Sequence, residues 1–359
     1  MSNKLSDPGI YFRCNFCYSN LNAEQALVKT KIACPHCHRR VTVPKPSLGR
    51  GHLMKDWEVV RLLGQGSMGE VYEVVDSAGH KGAMKIVHQD CMSEDETRYL
   101  QEEAQILLKL RHKNLVRVEE AGFDDLQYFF VQDLVEGRNV DLTLKKYGAL
   151  KLVEALRICR DVASAMDYLW REGKIIHRDI KPENIMLSRE GVVKLMDLGI
   201  GLTQEQIQKE GFGAGTPYYM SPEMIQKPSA CDFRSDIYSL GISLVEMLTT
   251  QKPYMAAGRE AVFDKILTEN VNLQQLNCSR ETKDFVARMI NRNVKKRPSS
   301  WSECVQFFET LIKLENQGSS RKEHQYVYDL AEDKTFSIQY YLTLFAFFIF
   351  LFTLIYFLF

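Results

Sequence analysis

Apolar residues recur at two different spacings along this chain, and the spacing changes near residue 135. In "WEVVRLLGQGSMGEVYEVVD", Trp57 to Asp76, two β-rich runs flank a glycine turn, which predicts a hairpin. "KGAMKIVH" predicts a third strand, and "LVRVEEAGFDDLQYFFVQDLV" two more. Between them "EDETRYLQEEAQILLKLR" carries apolar residues at helical spacing among good helix formers. Beyond that point helical patterns dominate. Strands first and helices later predict an α+β body in two lobes.

The pattern also marks boundaries. "PKPSLGRGH" is rich in Pro and Gly and reads as linker, which separates residues 1–43 from a body at 57–314 across a connection at 44–56. Residues 315–339 are polar, with three basic and five acidic residues between Glu315 and Ser337. "YYLTLFAFFIFLFTLIYFLF", residues 340–359, then runs 20 residues without a charge. As a helix it spans about 30 Å, enough for a bilayer core, with Tyr340 and Tyr341 suited to the interface. A single-pass membrane anchor is expected there. The chain is then either tail-anchored or part of a longer receptor.

Composition adds little to this outline except through cysteine. Lys plus Arg and Asp plus Glu both number 46, so net charge argues for no class of partner. Nine cysteines include two C-x-x-C pairs, Cys14/Cys17 and Cys34/Cys37, separated by 16 residues, and five scattered singly. That usage fits a reducing compartment and metal binding better than disulfides. Four thiolates complete a tetrahedral Zn²⁺ shell without an open position, so the expected site is structural, and residues 1–43 resemble a zinc ribbon. His36 and His38 are alternative ligands. Residues 1–56 carry nine Lys or Arg against three Asp or Glu, a basic surface without the interleaved aromatics that favour nucleic acid. Nucleic acid is not an expected partner.

Two stretches of the body carry chemistry. "GQGSMGEV" places Gly64, Gly66 and Gly69 at G-x-G-x-x-G-x-V spacing, where missing Cβ atoms let backbone N–H groups approach phosphate oxygens. Lys85 sits in the apolar strand "GAMKIV", an odd place for a charge unless its ammonium meets an anion. Glu103 in the following helix is its natural counter-ion, with Glu102 the neighbouring candidate. In "HRDIKPEN", Asp179 can accept a proton, Lys181 can neutralise a transferring phosphoryl group, and Asn184 can bind a divalent metal, with Asp197 of "MDLG" as a second metal ligand.

Those motifs fall in an order that resembles a serine/threonine protein kinase, similar to bacterial membrane-anchored kinases, over residues 57–314. The resemblance implies a bilobal kinase fold that binds ATP with Mg²⁺ or Mn²⁺ and phosphorylates protein substrates, itself included. It implies a lid from Gly64, Gln65, Gly66, Ser67, Gly69 and Val71, and an activating pair from Lys85 and Glu103. Asp179 becomes the base, Lys181 its partner, and Asn184 and Asp197 the Mg²⁺ ligands. Gln132 and Asp133 border the adenine pocket, Gln132 as gatekeeper unless a one-residue shift puts Val131 there. Thr203 and Thr216 belong to the activation segment, Glu223 and Arg297 to a structural ion pair, and Asp236 to the support of the catalytic loop. The usual Phe and Ala of two family motifs are here Leu198 and Ser221. ATP chemistry and reduced thiols imply that the kinase domain faces the cytoplasm. The rival expectations are a catalytically silent scaffold, disfavoured because Lys85, Asp179 and Asp197 are all present, and a small-molecule kinase, disfavoured by "GTPYYMSPE".

Overall fold

The computed structural model describes residues 10–14, 20–23, 27, 29–43, 48–66, 69–87, 104, 106–124, 127–198, 202–203 and 216–318. Cys17, Ser67, Glu102, Glu103, most of the helix expected near residues 94–111, and the apolar stretch 340–359 lie outside them. None of the described helices is long and apolar enough to cross a membrane. The chain divides into two compact units, Met1–Val135 and Glu136–Phe359.

In the first unit, β1 (Ile10–Arg13) and β2 (Asn20–Ala23) form one short antiparallel hairpin, and β3 (Lys31–Ala33) and β4 (Arg40–Thr42) another. A six-stranded sheet follows, built from β5 (Leu53–Met54), β6 (Trp57–Gly66), β7 (Gly69–Asp76), β8 (Lys81–Val87), β9 (Val118–Asp124) and β10 (Gln127–Asp133). Its order is β5-β6-β7-β8-β10-β9, and every adjacent pair is antiparallel. The expected hairpin is present, with Gly66 opposite Gly69. Gly69 has φ +146°, a backbone state that side chains with a Cβ avoid.

Pairing sorts the sheet's side chains onto two faces, because residues opposite one another point the same way. Val71, Lys85 and Phe130 share one face. Tyr72, Met84 and Val131 share the other. This second face is not left to water. Tyr72, Val74, Met84, Ile86, Phe129 and Val131 form one buried cluster with Cys14, Leu21, Ala23, Cys34, Val41, Val43 and Leu48. The cysteine-rich segment and the sheet therefore share a core. Residues read as linker take part: β5 adds to the sheet edge, and Gly51 and His52 exchange backbone hydrogen bonds with Val59 at 2.8 and 2.9 Å.

The second unit is mainly helical. It holds helices α1 (Val140–Tyr147), α2 (Leu152–Gly173), α3 (Pro222–Gln226), α4 (Phe233–Thr249), α5 (Arg259–Thr268), α6 (Arg280–Met289) and α7 (Trp301–Gly318) and two small sheets. One has the order β11 (Gly137–Asn139), β13 (Ile185–Ser188), β14 (Val193–Leu195); the other pairs β12 (Ile175–Ile176) with β15 (Leu202–Thr203). Helix α2 buries Leu156, Cys159, Ala163, Met166 and Leu169, a stripe at three- and four-residue spacing. Helix α4 is buried on all sides from Ser235 to Met247, and Asp232 caps it by accepting from the Arg234 N–H at 2.8 Å. An enclosed helix makes a rigid support, and one of its carboxylates carries the loop described next.

Candidate active site

Asp236, in the first turn of α4, is fully buried. Its two carboxylate oxygens accept the backbone N–H groups of His177 at 2.7 Å and Arg178 at 2.8 Å. Burial pushes its carboxyl up to about 6, against the pull of His177 and Arg178. Arg178 is held at φ +66°, one of two left-handed non-glycine residues at this site, the other being Asp197 at φ +62°. Strain of this kind persists where surrounding bonds over-determine the backbone.

The residues just beyond this anchor form one network. Lys181 Nζ donates to Asp179 Oδ2 at 2.5 Å and to Thr216 Oγ1 at 2.5 Å. The Thr216 hydroxyl donates to Asp179 Oδ1 at 2.8 Å, and its backbone N–H to the same oxygen at 3.1 Å. Asn184 Nδ2 donates to the Asp179 carbonyl at 2.8 Å and to Asp179 Oδ2 at 3.0 Å. Lys181 and Asn184 are buried, at 3% and 4% exposure, so the Lys181 charge acts where water screens it little. With its amide nitrogen committed to Asp179, Asn184 offers its Oδ1 to a cation. Asp197 follows β14 closely, and the Met196 N–H donates to the Asn184 carbonyl at 2.9 Å, which brings both candidate metal ligands to the same end of the β13–β14 hairpin. Asn184 and Asp197 fit a divalent cation of the Mg²⁺ type, one neutral oxygen and one carboxylate.

His177 was not singled out by its sequence motif, yet it ties the site together. Its Nε2 meets the Met196 carbonyl at 2.9 Å, and its Nδ1 meets the Asp179 N–H at 3.3 Å. The available signal was a histidine between two apolar residues and a charged pair, fully buried in the fold. Glu223 and Arg297 do pair, through two bonds of 2.6 and 2.8 Å, and Ser235 Oγ donates to Glu223 at 2.7 Å. Burial raises the Glu223 carboxyl, but the Arg297 guanidinium outweighs this and holds it below the ordinary range. Thr203 lies in β15 opposite Ile175.

In the first unit, Lys85 lies opposite Val71 on β7 and Phe130 on β10, and its ammonium sits 5.7 Å from the Phe130 ring centre. Gln132, opposite Ala83, falls on the Lys85 face, whereas Val131 is buried in the core shared with the cysteines. Asp133 donates its N–H to the Arg117 carbonyl at 2.9 Å. Gly64 and Gln65 lie opposite Val71 and Glu70 in the hairpin that carries the glycine turn.

Three of the four paired cysteines come together. The Sγ atoms of Cys14, Cys34 and Cys37 lie within 4.8 Å of one another, with Cys14 and Cys37 3.6 Å apart. Zn–S bonds of about 2.3 Å give a tetrahedral edge of about 3.8 Å, whereas a disulfide needs about 2.05 Å. The spacing fits a thiolate-bound metal.

Comparison with known proteins agrees with this geometry. The model of the protein kinase domain matches residues 57–308. A probable serine/threonine-protein kinase of Dictyostelium discoideum is 30% identical over 256 residues, covering 70% of this chain and 51% of that protein. Serine/threonine-protein kinase PknH of Mycobacterium bovis is 35% identical over 210 residues, 57% of this chain and 35% of the relative. The probable serine/threonine-protein kinase PknB of Lactococcus lactis is 28% identical over 287 residues, 78% of this chain and 45% of the relative. The chain thus spans about a third to a half of the length of these relatives.

Proposed function

The chain belongs to the protein kinase domain family, and from that premise we propose that it transfers the γ-phosphoryl group of ATP to serine and threonine hydroxyls of proteins, its own included. The carrying observation is the Asp179 network. A hydroxyl, that of Thr216, already donates to Asp179 Oδ1 at 2.8 Å, the interaction that an attacking substrate hydroxyl needs in order to surrender its proton. Lys181, bonded to both, supplies positive charge beside the transferring group. Asn184 and Asp197 would hold Mg²⁺ or Mn²⁺, which neutralises phosphate charge when bound. The protein's own part is positioning: Asp236 fixes the loop backbone, His177 ties the Asp179 N–H to the Met196 carbonyl, and Asn184 orients the base.

Cys14, Cys34 and Cys37, with Cys17 as the fourth ligand, bind a structural Zn²⁺. The charge-free stretch 340–359 anchors the protein in a membrane, with the kinase domain on the cytoplasmic side; its length and composition support this.

The test is γ-phosphate transfer from Mg-ATP by the full chain in detergent, with a generic basic protein and autophosphorylation as readouts and Asp179→Asn as control. Transfer that the substitution abolishes supports the kinase reading. A folded, ATP-binding protein without transfer overturns it in favour of a scaffold.

A further inference from the structure

Glu70 raises a question that phosphoryl chemistry leaves unanswered. It directly follows Gly69 of the glycine turn, yet it is only 1% exposed. Alternation along β7 turns it away from the face of Val71 and Lys85, so it has no part in handling phosphate. A carboxylate so placed is costly unless bonded. One bond comes from Tyr72, whose hydroxyl donates to Glu70 Oε2 at 2.8 Å and accepts the backbone N–H of Leu48 at 3.0 Å, both buried. Leu48 in turn packs in the one core that holds Cys14, Cys34, Val41 and Val43. A chain of buried contacts therefore runs from the thiol cluster, through Leu48 and Tyr72, to the first residue after the glycine turn.

We infer that the cysteine-rich segment is a metal-dependent clamp on the nucleotide-binding turn, with Tyr72 as the positioning residue that transmits it. Three thiolates gathered by one ion fix the two short hairpins, whose strands of three and four residues are too short to hold a fold alone. With the hairpins fixed, Leu48 is held against Tyr72, and Tyr72 holds Glu70 and the strand leaving Gly69. Without the ion the segment loosens, the Leu48 bond is lost, and Glu70 and the strand leaving Gly69 lose their anchor. The inference rests on the zinc and ATP readings above for the identity of the two ligands.

The experiment uses the full chain in detergent, stripped of metal with a chelator under reducing conditions and reloaded with Zn²⁺. Metal content, the Kd of a fluorescent ATP analogue and hydrogen exchange over residues 57–76 are measured in wild type, Tyr72→Phe and Glu70→Gln. The wild type is expected to bind one Zn²⁺ per chain, to lose about tenfold in nucleotide affinity with faster exchange on stripping, and to recover on reloading. Tyr72→Phe is expected to keep its Zn²⁺ but bind nucleotide about as weakly whether loaded or stripped. Glu70→Gln, which retains an acceptor for Tyr72, keeps most of the metal response. One bound Zn²⁺ with an unchanged Kd and unchanged exchange on stripping overturns the clamp while leaving the zinc reading intact. Absence of bound metal overturns both. Absence of nucleotide binding with metal-dependent exchange over 57–76 overturns the ATP reading and leaves the clamp standing. A Tyr72→Phe protein that responds like wild type overturns the role of Tyr72.

Discussion

The loop around Asp179 and the core around Cys14 achieve order by opposite means. The first is a buried polar network, in which Asp236, His177, Lys181, Asn184 and Thr216 each hold another polar atom. The second is an apolar cluster that joins the cysteine-rich hairpins to the sheet, with a buried polar relay from Leu48 through Tyr72 to Glu70. Hydrogen bonds carry direction and hold a proton acceptor to within tenths of an ångström; apolar burial is non-directional and holds surfaces together without fixing one atom. The two kinds of damage therefore show in different places. Loss of one polar atom at Asp179 harms chemistry with little loss of fold, and loss of apolar volume near Cys14 harms fold first.

The most damaging substitution is expected at Asp179. Asp179→Asn removes the proton acceptor but keeps the shape, so kcat should fall about 10²- to 10⁴-fold, while Tm falls by only a few degrees because an amide oxygen remains to accept a hydrogen bond although Lys181 loses its carboxylate. Steady-state phosphorylation and a melting curve on the same preparation check this. An equal loss of stability would mean that Asp179 is structural.

Next comes the ion pair that braces the second unit. Arg297 has a side chain that is fully buried, and Arg297→Ala leaves the largely buried Glu223 with Ser235 but without its cation. Breaking such a pair costs about 3–5 kcal/mol. At about 2–4 °C per kcal/mol for a unit of this size, Tm should drop by roughly 6–20 °C. Below that temperature KM for ATP should be close to wild type, and a calorimetric scan with kinetics at low temperature separates the two.

A third substitution asks whether head and sheet are one cooperative body. Leu21, at 4% exposure, and Val74, at 0%, lie in the same cluster although one is in the cysteine-rich segment and the other in β7. Leu21→Ala should cost about 2–4 kcal/mol through its cavity. If the core is shared, hydrogen-exchange protection falls together in β2 and β7. Protection lost from residues 10–43 alone would mean a separately folding head.

Particular residues show how much of this was legible beforehand. The hairpin 57–76 could be read because β-rich runs met a glycine turn, and the loop 177–184 because polar residues stand between "II" and "IML" where a core strand would not tolerate them. The choice between Gln132 and Val131 could not, because a face is defined only by pairing, and β10 acquires one when Phe130 meets Lys85. The docking of the head was also hidden. Its strands are too short to show a period, and "PKPSLGRGH" has a linker's composition although Leu48, its one large aliphatic residue, is buried. Tyr72 and Val74 were readable as apolar; what covers them is a matter of tertiary contact.

A milder change is expected at Glu246, a carboxylate that its network holds imperfectly. Glu246 is 4% exposed and accepts the Tyr219 hydroxyl at 2.6 Å. Burial pushes its carboxyl up to about 7; Lys252 and the Tyr219 hydroxyl oppose this, while Glu183 and Asp141 add to it. The folded state thus keeps a proton that the unfolded chain has released between about pH 4.5 and 7. The stability tied to that proton is complete below about pH 4.5 and lost as pH rises through about 7. Glu246→Gln removes the ionisation but keeps an oxygen for Tyr219. The variant should therefore gain on wild type by about 1–3 kcal/mol between pH 5 and pH 8, read as a widening difference in Tm. A difference that stays constant across that range would mean that Glu246 is already ionised at pH 5, held so by Lys252, and that this part of the network is as well satisfied as the Asp179 loop.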